Sequence, residues 1–165
     1  MILFFSPHSL LLFTQVPMSP HFGLMDESKM SREKALLMRT KLHWRCGSGR
    51  LTANRSAEAV AILYDALLSA MRWYILRHLP HALGENADEK LENERYVFSL
   101  LRRAGILDQS LDLPFIEEMV DKALMEEDVS FDHHRFLQQL DSFLTRLGIL
   151  PFDVTELPPE DSATL

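Results

Sequence analysis

Residues 64–80 read YDALLSAMRWYILRHLP, an apolar string that nonetheless carries Asp65, Arg72, Arg77 and His78. Extended back to Ser56 it contains almost nothing but Ala, Leu, Ile, Val, Met and aromatic residues. The polar exceptions Glu58, Asp65, Ser69 and Arg72 are spaced by seven, four and three and so share one side of a helix. Asn54 or Ser56 can cap its start, and Pro80 stops it by Leu79. A helix that is apolar on nearly all sides must be surrounded by other helices or pressed against a second subunit. The sequence therefore centres on one buried helical beam.

Around that beam the periodicity stays helical, with no hairpin signal and no strand alternation of useful length. A first helix is expected from about Ser28 to Cys46, ended by Gly47 and Gly49, with Met30, Leu37, Met38 and Leu42 on its apolar face. A third starts at Asn86, where Asn86 and Glu89 have capping-box spacing, and ends at Gly105. A fourth opens at Asp112 and Pro114 and should bury Phe115, Ile116, Met119, Val120, Ala123 and Leu124. A fifth runs from about Ser130 to Leu147 and is closed by Gly148 and Pro151. Five helices with short connectors predict an all-α, up-and-down bundle over residues 28–150.

The flanks read differently. The first 25 residues hold no charged side chain, yet they lack the basic start and small cleavage residues of a signal peptide, and Pro7, Pro17 and Pro20 interrupt any membrane span. Residues 1–27 are expected to be a dispensable extension, or to lie upstream of a working start at Met25 or Met30. Residues 151–165, polar with a double proline, read as a loose tail. Cys46 is the lone cysteine, which rules out an intrachain disulfide and paired-thiol motifs and fits a reducing, cytoplasmic compartment.

Net charge is −7, unevenly distributed. Between Lys29 and Arg55 there are eight bases against one acid; from Ala104 onward there are fourteen acids against three bases. Lys34, Arg39, Lys41, Arg45 and Arg50 thus form a candidate partner-binding face, for RNA phosphates or for an acidic protein surface. Apart from Trp44 no aromatic residue accompanies them, which favours the acidic partner, within the chain or across a dimer.

The first helix, the Gly-containing break GSGRLTANRS and the string AVAILYDALLSA, with Ala59, Tyr64, Ala66 and Ala70 at its spacing, resemble the first helix pair of HEPN-type domains over about residues 30–79. The resemblance implies an all-helical, commonly dimeric protein, often paired with a minimal nucleotidyltransferase in prokaryotic toxin–antitoxin or defence systems. Members that cut RNA do so without metal, with an arginine and a histidine separated by four to six intervening residues near the end of the domain. The arginine stabilises the crowded phosphate and the histidine accepts the proton of the attacking 2′-OH. Arg72 and His78 match that form, but on the second helix. His133, His134 and Arg135 lie late enough but are contiguous and in the reverse order.

Other chemistry finds no foothold. No Walker loop, Gly-x-Gly-x-x-Gly or nucleophile elbow occurs, and the acidic helices lack the Glu-x-x-His repeats of di-iron bundles. His78 and His81 straddle Pro80 and so miss the i, i+4 spacing that zinc uses on a helix. The sequence leads to a binding or interaction protein without cofactor or metal, homodimeric, with a nucleotidyltransferase-like partner. A metal-independent RNase toxin with a displaced motif and a purely structural oligomerisation module are the alternatives.

Overall fold

A computed structural model describes residues 25–125 and 132–160. The expectations for residues 1–24 and 161–165 lie outside the described residues. Six α-helices are present there: α1 (Arg32–Thr52), α2 (Ser56–His78), α3 (Ala87–Glu92), α4 (Glu94–Arg103), α5 (Leu113–Leu124) and α6 (His133–Arg146), with single 3-10 turns at Glu27–Lys29, Pro80–Ala82 and Val154–Glu156. No strand occurs among the described residues, and the all-α bundle expected from the sequence is the fold.

Helix α2 is the central beam. It packs antiparallel to α1 and also touches α4, α5 and α6. Leu63, Leu67, Met71 and Ile75 are wholly buried, together with Phe136 and Phe143 from α6, Leu101 from α4 and Ile116 from α5. By length and composition α2 could cross a membrane, but 72% of its most apolar window is buried inside the bundle.

Helix α1 does not stop at Gly47 and Gly49; it runs on to Thr52. A Cβ on Gly47 would lie 2.6 Å from Leu63 Cγ and 3.4 Å from the Ala59 carbonyl oxygen, so this glycine lets two backbones approach and does not break the helix. The hydroxyls of Thr40, Ser48 and Thr52 donate back to the carbonyls of Leu36, Trp44 and Ser48, which seats polar residues inside the helix. Asn54 turns out to be the left-handed residue that ends α1 (φ 59°), with Arg55 N–H donating to the Arg50 carbonyl across it. The N-cap of α2 is Arg55, which makes no side-chain cap bond.

The expected third helix is two. Asn86 is left-handed and makes no cap bond, whereas Asn93 accepts from Tyr96 N–H and starts α4. The break has a local cause: the Leu91 carbonyl, which an unbroken helix would offer to Arg95, accepts instead from Arg72 Nε at 2.9 Å. Gly105 and Gly148, both at positive φ, end α4 and α6 as the sequence predicts.

Two further expectations are corrected. Leu124, assigned to the core, is 70% exposed at the end of α5. The C-terminal stretch is not loose over its described part: Leu157 is buried, Lys41 lies 5.2 Å from the centre of the Phe152 ring, and Arg45 pairs with Glu160 at 3.2 Å. Residues 152–160 thereby lie back along α1.

Candidate functional site

The polar stripe of α2 is wet only in part: Glu58 and Asp65 are half-buried, whereas Ser69 and Arg72 are buried. Antiparallel pairing with α1 sets Glu58 opposite Arg50 (3.7 Å) and Asp65 opposite His43, with His43 Nδ1 2.6 Å from Asp65 Oδ2. Arg50, His43 and Thr40 from α1 and Ser69 and Arg72 from α2 are all buried, so a polar seam runs through the helix pair. Ser69 Oγ has no hydrogen-bond partner among the described residues.

Electrostatics keep the seam ionised at one point. Burial pushes the Asp65 carboxyl up, but its bond to His43 and the charges of His43, Arg39 and Arg72 outweigh this and hold it below the usual carboxylate range. Tyr64, beside it on α2, donates to Glu94 Oε2 at 3.1 Å; burial and then the Glu94 charge push its hydroxyl well upward. Burial also raises the Cys46 thiol, outweighing Arg50 and Arg45, so this cysteine is a poor nucleophile.

Arg72 and His78 are not brought together. Arg72 is 8% exposed and turns toward α3, where it bonds the Leu91 carbonyl and approaches Glu92 at 3.7 Å. His78 is exposed at the end of α2, with its ring centre 4.6 Å from that of Tyr74 and 5.9 Å from that of Trp73. His133 and His134 occupy the first turn of α6, and His133 Nε2 sits 3.0 Å from Ser56 Oγ. Arg135 lies over the Phe115 ring and 3.7 Å from Asp112. Its guanidinium is therefore directed at α5 and not at either histidine.

The basic face of α1 is engaged within the chain. Arg39 pairs with Glu27, Arg45 with Glu160, Arg50 with Glu58, and Lys41 with the Phe152 ring, leaving Lys34 exposed near the start of the helix. Arg32, outside the predicted set, pairs with Asp88 and Glu92. The acids that neutralise α1 come from Glu27, α2, α3 and the C-terminal stretch, not from α5.

Sequence reasoning missed a groove of about 740 Å³ between the end of α4, the 107–112 loop and α6. Arg102, Arg135, Gln138 and Gln139 line it, and Gln139 Oε1 accepts from Asp112 N–H at 2.9 Å. Among the described residues no group of three His, Cys, Asp or Glu side chains converges as a metal site. No protein-family model, curated protein or solved structure matches the chain.

Proposed function

We propose that this protein is a non-catalytic, HEPN-like interaction protein that works as a homodimer and docks a protein partner, with a nucleotidyltransferase-like protein of a toxin–antitoxin or defence pair as the first candidate. One observation carries the reading against the RNase alternative. Arg72, the arginine of the Arg-His string, is buried in the seam and holds the α3–α4 break in place, while His78 lies tilted against Tyr74 and edge-on to Trp73 at the helix end. A phosphate-stabilising arginine has to reach solvent and stand beside its histidine. Arg72 meets neither requirement and has a structural task instead.

The test is an RNA-cleavage assay in chelator with the intact protein and with His78→Ala, alongside sedimentation of the intact protein. We expect no cleavage by either protein and a dimer mass. Cleavage that disappears in His78→Ala, or in His133→Ala, would establish the RNase reading in its place.

A further inference from the structure

Among the described residues, three of the basic side chains without an ion pair lie together on α4, whereas α1 leaves only Lys34 and the ring-bound Lys41 without one. Arg95, Arg102 and Arg103 are exposed and form no ion pair with a described residue. Arg95 and Arg102 are two turns apart on one face, about 10 Å along the axis at 1.5 Å per residue. Arg102 leads into the 740 Å³ groove, where α6 adds Arg135, Gln138 and Gln139. On a chain of net charge −7, the exposed arginines of α4 without a described ion pair, continuous with a groove to which Arg135 adds a guanidinium shared with Asp112 at 3.7 Å, suit an acidic ligand.

We infer that this groove docks an acidic segment of a partner protein, whose carboxylates meet Arg102 and Arg135 and whose main chain meets Gln138 and Gln139. Guanidinium groups match carboxylates fork to fork. Gln138 is exposed with donor and acceptor both available, and Gln139, whose oxygen already accepts from Asp112, keeps its NH₂ to offer to a carbonyl. Such pairs suit a peptide backbone, which presents an N–H and a C=O at every residue.

Nucleic acid fits less well on two counts. No aromatic residue is among those lining the groove, and the Phe115 ring beside Pro114 has its face covered by Arg135 at 5.6 Å and packs against Phe136 at 6.2 Å, so it offers a base no platform. Asp108 and Asp112 also line the groove, Asp112 3.7 Å from Arg135, and would repel a continuous row of phosphates. A peptide can place its few carboxylates away from them. This inference rests on the interaction-protein reading and names the partner's chemistry.

The experiment uses the full chain and two fluorescein-labelled probes, a short Glu-rich peptide and an oligouridylate, with anisotropy read at low salt. The peptide should bind the wild type and weaken as salt is added, and its dissociation constant should rise about tenfold or more in Arg102→Glu, Arg135→Glu. Both side chains are exposed, and circular dichroism confirms the fold; Arg102→Gln, Arg135→Gln, with an intermediate loss, replaces the charge reversal if that variant unfolds. A peptide that ignores the wild type, or binds wild type and variant alike, overturns the groove assignment and leaves the interaction reading intact. Oligouridylate binding that the double variant loses overturns the choice of an acidic peptide. Hydrolysis of the oligouridylate by the wild type overturns the interaction reading itself.

Discussion

Two glycines two residues apart in α1 should respond to alanine with opposite signs. At Gly49 a Cβ meets nothing within 4 Å, so Gly49→Ala should stabilise the fold by about 0.5–1 kcal/mol through helix propensity and a stiffer unfolded chain. At Gly47 the same gain is opposed by Leu63, whose Cγ and Cδ2 would stand 2.6 and 2.8 Å from the new atom. Leu63 is wholly buried and its Cγ is not a movable tip, which places the clash in the upper part of the ~1–3 kcal/mol range for overpacked cores. The net loss should be about 1–2 kcal/mol, or a fall in Tm of roughly 3–10 °C for a domain of this size. Thermal unfolding of both variants measures it, and a double-mutant cycle assigns the cause. Leu63→Ala alone costs about 2–5 kcal/mol, and on that background Gly47→Ala should turn stabilising by up to ~1 kcal/mol. A Tm that rises in Gly47→Ala on the wild-type background, as in Gly49→Ala, refutes the close-approach account of why α1 runs through its glycines.

Asp65 and Asp108 both have carboxyls held below their ordinary pKa of 3.8, Asp108 at about 2 through its bonds to Ser110 and Arg146. Each therefore adds stability that is complete above the ordinary value and lost as pH falls through the lowered one, so urea midpoints should drop between about pH 4 and pH 2 and drop less in Asp108→Asn. Asp65→Asn should flatten the same acid limb and, by removing a charged partner of buried His43, cost about 1–3 kcal/mol at neutral pH. Arg45→Ala should cost about 1–2 kcal/mol of global stability, since its hydrogen-bonded pair with Glu160 is partly buried, and should speed proteolysis within residues 151–160. Unchanged cleavage there would mean that Leu157 and Phe152, not the ion pair, hold the stretch to α1.

What the sequence discloses about this fold follows the range of the forces involved. The beam was legible because its apolar residues cover every side, and any burial partner satisfies that pattern; Leu67 and Met71 are indeed wholly buried. Caps at Asp112, Gly105 and Gly148 were legible because each acts within a few residues of chain. The length of α1 was not, because the reason for Gly47 is Leu63, a residue on another helix that the local rule for glycine as a terminator does not contain. The break between α3 and α4 escaped for the same reason: it depends on a guanidinium arriving from α2 at the Leu91 carbonyl. The stripe of Glu58, Asp65, Ser69 and Arg72 was found as a stripe, but whether water or α1 faces it depends on which residues α1 sets opposite.

The candidate site was less legible, and the arginines show why. At 100° per residue, six residues turn the helix through 600°, so Arg72 and His78 point about 120° apart although they match the motif in form. Charge is harder. Arg39 and Arg45 in α1 and Arg102 and Arg103 in α4 all lack an acid three or four residues away, and the local ion-pair rule treats them alike. The fold separates them by bringing Glu27 to Arg39 and, across 115 positions of chain, Glu160 to Arg45, while no described acid pairs with Arg95, Arg102 or Arg103. A net charge per segment counts bases without knowing which have been answered. Only the three-dimensional pairing shows that the dense basic run is neutralised in place, and that the sparser one, Arg95, Arg102 and Arg103 beside the groove, is where an acidic partner gains most.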